Sequence, residues 1–391
     1  MCLNISQILN WELLRLFVFY VPNLRFSEFT DSWLKRRFDE IADFYKGTGI
    51  SKDQLSLEGN ECILYGELYT TYKTETIDEI KSKTNIDTKG LFFGKKNDVI
   101  IPASGETPID IATSCCVCKD NILFGGDLNI IRLKTDNGSF ISCQLNGKRK
   151  IDIAKIAQGA SIVHLHNDDL KKIYLYTPID LKEQTKIVEL FTLIDKRIRS
   201  QSKIIEDYKT YKNRILHTIY NSLESDNRIK LNDICSITTG KLDANEMNPN
   251  GKYKFFTCAR EDYYINTYSF EGESLIISGN GEVGLIKYFN GKFDAYQRTY
   301  VLQNFTINPL YVKFALEIEL PKKIYKEKNV GAMPYIVLST LSNIMINIPY
   351  KETIEKIAKL VTSIDKKIAI EEKILNDYIS QKKYLLSNMF I

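Results

Sequence analysis

Histidine is nearly absent from this chain, with three residues in 391. Tryptophan occurs twice and methionine five times. With so little imidazole, general acid–base chemistry at neutral pH has few carriers. No Ser/His/Asp triad, phosphate-binding loop or paired-carboxylate constellation stands out. Charge of one sign is missing too: 53 Lys and Arg against 49 Asp and Glu leave +4, so net charge alone does not announce a nucleic-acid binder. Leu13–Val21 is apolar apart from Arg15, but falls short of the roughly 20 residues a membrane span needs. It also lacks the basic start and small-residue cleavage site of a signal peptide, so an amphipathic or docking segment in a cytoplasmic protein is expected. Eight cysteines without a secretion signal read as reduced thiols. The remainder is 44% hydrophobic and 26% charged, the composition of a folded soluble chain of two or three domains.

What is present is a repeat. Lys186–Tyr220 aligns with Lys356–Phe390 without a gap, identical at 14 of 35 positions, among them Ile194/Ile364, Asp195/Asp365, Lys212/Lys382 and Leu216/Leu386. Fainter echoes precede each segment. Asp98–Glu106 resembles Ser274–Glu282, and Lys46-Gly47 resembles Thr239-Gly240. The offset changes between echoes, so each half is a variable region followed by a faithfully repeated segment.

The repeated segments lack Gly and Pro, and each closely follows a proline (Pro178, Pro349). Asp180 and Glu183 have capping-box spacing. Apolar residues alternate by steps of four and three: Ile187, Phe191, Ile194, Ile198, Ile205 and Tyr208 in one copy, Ile357, Val361, Ile364, Ile368, Leu375 and Tyr378 in the other. This is a coiled-coil seam, predicting long helices over 179–222 and 350–391 that pair with each other antiparallel. Polar residues interrupt the seam at Gln201, Lys212, Glu371 and Lys382. Antiparallel pairing would set Gln201 against Lys382 and Lys212 against Glu371; the alternative is that both lysines snorkel to solvent.

Residues 34–178 and 227–349 show short β-rich runs between Gly, Asn, Asp and Pro turns. The expected fold class is therefore α+β: two mixed domains with β-rich cores, joined by paired long helices in an internal pseudo-twofold repeat. Residues 1–33 form a separate N-terminal segment. Both domains are near neutral, and the positive charge lies on the helices.

Three motifs are weighed and set aside. Gly279-Asn-Gly281-Glu-Val-Gly284 has a dinucleotide-binding spacing, but Leu285–Phe289 behind it is β-like, so no helix N-terminus meets a pyrophosphate. Asn347-Ile-Pro-Tyr350 resembles the catalytic tetrapeptide of adenine-N6 methyltransferases, without any glycine-rich cofactor loop upstream. Cys115-Cys-Val-Cys118 with His164 and His166 has the wrong spacing for structural zinc, so buried thiols are expected and no metal.

The layout resembles the specificity subunit of type I restriction–modification systems. The likeness is carried by Pro22–Trp33, Phe38-Asp-Glu-Ile-Ala42 before Lys46-Gly47, Gln158-Gly-Ala-Ser161, Gly331-Ala-Met-Pro-Tyr335, and Glu183-Gln184 with Lys186-Ile187 at the helix start. The second copy has Ile354-Glu355 in place of the Glu-Gln pair. The resemblance implies a non-catalytic subunit with two target recognition domains, each reading one half of a bipartite double-stranded DNA sequence. The helices would act as a ruler on which two methyltransferase subunits dock, and motor–nuclease subunits would join for cleavage. S-adenosylmethionine, Mg and ATP would then sit on the partners, and no cofactor on this chain. Base readout needs donors on turns. The candidates are Lys46, Thr48, Ser104 and Gln158 in the first domain, and Lys241, Ser278, Asn280, Gln297 and Arg298 in the second. The competing readings are a stand-alone adenine methyltransferase and a coiled-coil adapter without a DNA role.

Overall fold

The computed structural model describes residues 20–159, 162–223, 227–327 and 335–391. Five helices carry the architecture: α1 (Gly138–Asn146), α2 (Lys150–Ile156), α3 (Leu181–Ser222), α4 (Pro309–Glu327) and α5 (Lys351–Asn388). No Gly or Pro interrupts the 42 residues of α3 or the 38 of α5, so their hydrogen-bond ladders run unbroken. The chain divides into two compact units, and the division cuts both long helices: residues 1–201 with 374–391 make one, residues 202–373 the other. Each unit is a head with half of α3 and half of α5.

In the first unit, strands β1 (Ala42–Lys46), β2 (Thr76–Ile77), β3 (Asp98–Pro102), β4 (Cys115–Val117) and β5 (Leu128–Leu133) form a sheet in the order β1-β5-β3-β4-β2. Only β4 and β2 pair in parallel. Successive side chains of a strand point to opposite faces. Val99, Ile101 and Ile131 accordingly pack with Phe140 of α1, while Ile100 and Ile130 pack with Ile63 and Phe124 of a second five-stranded sheet. With both faces covered, β3 runs apolar from Val99 to Pro102 after the ion-paired Asp98. Residues 20–33 close over the helix ends, Leu24 N donating to the Asn388 carbonyl at 2.9 Å. Glu183 does not complete the expected capping box. Its carboxylate takes the Arg25 guanidinium fork at 2.7 and 2.8 Å and Trp33 Nε1 at 3.2 Å, bonds stronger than a single backbone N–H.

In the second unit, β6 (Ser236–Thr239), β7 (Tyr253–Phe256), β8 (Tyr263–Ile265), β9 (Phe270–Ser278), β10 (Ile286–Ala295) and β11 (Thr299–Gln303) form a sheet in the order β6-β11-β9-β10-β7-β8. Without β8 this is the first sheet's order, with its one parallel pair, β10 with β7, in the matching place. The faint sequence echoes are thus equivalent strands, β3 with β9 and β1 with β6. Tyr311, Phe314, Ala315 and Ile318 of α4 pack against Leu275, Ile277 and Leu302.

Within each unit the helix halves run antiparallel. In the first, Phe191 stacks on Phe390 with centroids 6.1 Å apart, Asp195 meets Lys382 at 2.6 Å, and Arg197 lies over Tyr378. In the second, Lys209 meets Glu372 and Lys212 meets Asp365. Ile194, Ile205, Ile368, Gln201 and Glu371 are buried; Ile198, Tyr208, Ile364, Leu375 and Tyr378 are half-buried. The partners of the seam lysines differ from the expected ones. Lys382 bonds Asp195 at 2.6 Å and Glu75 at 2.5 Å; Lys212 bonds Asp365 at 2.8 Å and Glu317 at 3.0 Å. Glu371 is bridged instead by Lys367, one turn back on its own helix. Neither seam lysine snorkels, their side chains being 11% and 13% exposed. Seam spacing fixes which backbones face each other. It does not reveal an acid reaching in from the head.

Candidate nucleic-acid interface

One end of each sheet gathers the exposed donors. In the first head, Lys46 ends β1 opposite Asn129, and Pro102 at the end of β3 lies opposite Leu128. Past Pro102, Ser104 pairs with His164, and Gln158 and His164 exchange backbone hydrogen bonds of 2.9 and 2.7 Å. Lys46, Thr48, Ser104 and Gln158 are thereby brought to one edge. Lys46 and Gln158 are exposed. Thr48 and Ser104 are less open. The Thr48 hydroxyl accepts from Phe92 N at 2.9 Å, and Ser104 is 8% exposed because strand pairing turns it inward. Residues 160 and 161 of the Gln158–Ser161 motif lie outside the described residues, as do 331–334 of the Gly331–Tyr335 motif and 1–19 of the apolar N-terminal segment.

In the second head four loop segments are stitched together. Gln297 N donates to the Leu242 carbonyl at 2.9 Å, Gly279 N to that of Arg298 at 3.0 Å, and Ile336 N to that of Gly279 at 2.9 Å. They surround a depression of about 230 Å³ lined by Asn280, Gln297, Arg298 and Tyr335. Lys241 sits beside it at the start of the Leu242 turn. Lys241, Gln297 and Arg298 are exposed and Asn280 half-buried; among the described residues no hydrogen bond or ion pair engages their side chains. Fixed backbone with free polar tips is the arrangement that base-edge readout requires. Ser278 is the exception. It is buried, and its backbone closes the 278–285 turn through Ser278 N to the Leu285 carbonyl and Gly284 N to the Ser278 carbonyl.

Sequence reasoning missed three groups here. His164 and His166, considered there only as metal ligands, are exposed with rings 6.4 Å apart and nearly parallel at the first edge. Tyr335 is exposed at the second, and Arg260 lies nearby, paired with Glu282 at 3.0 Å. The loop carrying Arg260 is fastened by Lys287, which bonds the Arg260 carbonyl at 2.8 Å, and by Lys254, which meets Asp262 at 2.9 Å. Burial works to raise the Asp262 carboxyl, but Lys254 and Lys287 outweigh it and hold the group below its usual value.

The decoy motifs resolve as local structure. Gly281 and Gly284 adopt positive φ in the 279–284 turn, and strand β10 follows rather than a helix. Asn347 is buried in a strand opposite Arg228, whereas Tyr350 is 85% exposed, so amide and ring do not share a base-sized site. Cys115 and Cys116 are buried thiols, and among the described residues no three His, Cys, Asp or Glu side chains could hold a metal ion. Nor is any described helix long and apolar enough to cross a membrane.

Residues 226–377 match the family model of the type I restriction modification DNA specificity domain. The type I restriction enzyme EcoDI specificity subunit of Escherichia coli is 36% identical over 121 residues, 31% of this chain and 27% of that protein. A putative type I specificity subunit of Mycoplasma pneumoniae is 34% identical over 144 residues, 35% of this chain and 39% of that one. These matches therefore span well under half the length of either relative. A crystal structure of a type I restriction-modification S subunit from M. genitalium superposes with a TM-score of 0.63 at 19% identity, covering 95% of this chain and 99% of that one. The likeness to type I specificity subunits read from the sequence thus recurs in sequence comparison and in fold.

Proposed function

We propose that the whole chain, whose residues 226–377 belong to the type I restriction modification DNA specificity family, is the sequence-reading subunit of a type I restriction–modification complex. Each head reads one half of a bipartite double-stranded DNA target. Lys46, Gln158, His164 and His166 serve the first half, and Lys241, Asn280, Gln297 and Arg298 the second. The observation that carries this reading is the repeated sheet with polar side chains gathered at one end in both heads. A neutral head binding alone would be weak, because phosphate contacts dominate affinity; partners supplying cationic surface make up for that. Helices α3 and α5 serve as spacer and as docking site for two methyltransferase subunits, in a cytoplasmic complex that motor–nuclease subunits complete. This chain performs no catalysis. S-adenosylmethionine belongs to the methyltransferase partners, and Mg and ATP to partners as well.

The test is co-expression with a methyltransferase partner, followed by mapping of the modified adenines. Replacing one head by that of a relative is expected to change one half of the modified sequence and leave the other. Removing one heptad from each helix is expected to change only the gap between the halves. Modification that is independent of this chain would refute the reading.

A further inference from the structure

The buried seam lysines Lys212 and Lys382 are repeat counterparts, and so are the aspartates they bind, Asp365 and Asp195. In each unit this pair joins one helix half to the other. The third member of each cluster is not repeated. In the first unit it is Glu75, just before β2, whose backbone carbonyl accepts from Cys116 N at 2.8 Å. In the second it is Glu317, inside α4, with Lys313 alongside at 2.7 Å from Glu317 and 2.9 Å from Asp365. Positions 75 and 317 have no common place in the two heads, one preceding a strand and the other lying within a helix. Two different elements have come to deliver a carboxylate to the same repeated lysine.

A buried ammonium is tolerated only with well-placed anions, so each cluster has few acceptable geometries. Other directional contacts between head and helix sit near the helix ends, Glu183 with Arg25 and Gln184 with Asn137 N in the first unit and Glu355 with Asn308 in the second, and between them the packing is apolar and non-directional. We infer that Glu75 and Glu317 are positioning residues, each keying its head onto the coil in one orientation. This rests on the proposed reading of DNA, for which the orientation of the donor edge decides whether it meets the bases. It also sets a rule for which foreign heads this coil accepts: an incoming head must bring an acid to that lysine.

The two keys differ in balance. The first holds one cation between two carboxylates, and the second holds two cations and two carboxylates. Replacing Glu317 with Gln leaves two lysines on one carboxylate, whereas replacing Glu75 leaves a matched Lys382–Asp195 pair. The loss is therefore larger in the second unit.

The test measures hydrogen exchange in the full-length chain at neutral pH. Glu317→Gln is expected to speed exchange in α4 by about tenfold, Glu317→Asp by less, and Glu75→Gln to speed exchange around residues 74–77 by about threefold. Lys212→Met with Glu317→Gln should be no worse than Lys212→Met alone. Should Glu317→Gln fail to fold, Lys313→Met with Glu317→Gln removes one charge of each sign and is expected to restore folding. Exchange no faster than in the surface control Glu271→Gln, or strict additivity with Lys212→Met, overturns the key. With methyltransferase partners, Glu317→Gln should slow modification of the second head's half-site by about fivefold relative to the first; equal slowing of both halves overturns the positioning role. If the unaltered chain directs no sequence-dependent modification, the DNA reading fails while the exchange result stands on its own.

Discussion

Gly47 and Gly240 hold the same place in the two heads: a Cβ built on either would lie 2.0 Å from a backbone carbonyl oxygen, that of Gly125 in the first head and that of Ala295 in the second. Each glycine directly follows one of the equivalent strands β1 and β6, where a neighbouring segment crosses against the main chain. The pair was visible in the sequence only as a two-residue echo.

Alanine at either position forces backbone apart, an overpacking that costs about 1–3 kcal/mol. Gly240→Ala is expected to lower the urea midpoint of the second unit and to weaken recognition of the second half-site, whose Lys241 comes next in the chain. A full-length variant with unchanged midpoint and unchanged modified sequence would show that the turn yields without consequence.

Arg298→Ala should leave stability within about 0.5 kcal/mol, since the side chain is exposed and unengaged. It should weaken discrimination at one base pair by about 1–3 kcal/mol. Competition binding of the assembled complex, with targets altered one base pair at a time, measures this. Uniform weakening at every position would make Arg298 a phosphate contact instead.

Glu183 is 1% exposed and serves both Arg25 and Trp33. Glu183→Gln leaves a largely buried guanidinium without its anion, and removing one partner of a buried pair costs about 3–5 kcal/mol. The expected result is early unfolding of the first unit by urea, partly relieved by adding Arg25→Met. Equal midpoints with and without the second change would reject the pairing as the cause.

Asp195 and Asp365 should respond to acid in opposite directions. Burial raises the Asp195 carboxyl, Lys382 offsetting only part of this while Glu75 adds to it. Burial also works to raise Asp365, but Lys313 and Lys212 prevail and hold it below the usual value. A carboxyl lowered on folding contributes stability above its unfolded pKa, near 3.9, and that stability is lost as pH falls through the folded value. A raised one is unfavourable to folding at neutral pH, and its penalty fades on acidification. Asp365→Asn is therefore expected to lower the urea midpoint at pH 7 and to flatten its acid limb. Asp195→Asn removes a carboxylate that burial disfavours but also one of the two anions that hold the Lys382 ammonium, and it leaves a matched Lys382–Glu75 pair, so its neutral midpoint should fall less than that of Asp365→Asn. Equal losses from both would contradict the charge count.

The legible parts of this protein were those governed by periodicity. A heptad seam without Gly or Pro specified α3 and α5 almost to their ends, and identity at a constant offset specified that they are copies. That Asn280, Gln297 and Arg298 lie on turns was also readable, because glycine or a strand's end marks each. Ser104, Thr48 and Ser278 misled for one reason. A hydroxyl residue beside a turn looks the same in sequence whether it points outward or is consumed by the backbone. His164 and His166 were weighed only as metal ligands, since their place at this edge depends on a strand pairing that brings Gln158 and Ser104 alongside.

By itself, then, the sequence determined the duplication and the two long helices, since each follows from local spacing and the burial of a continuous apolar stripe. Only the tertiary structure decided that each compact unit takes half of each helix, and that Lys212 and Lys382 answer to Glu317 and Glu75. Those acids lie far from their lysines along the chain and at unrelated places in the two heads. Charge pairs across such distances are set by where packing leaves a buried ammonium within reach of a carboxylate, and no periodicity records that.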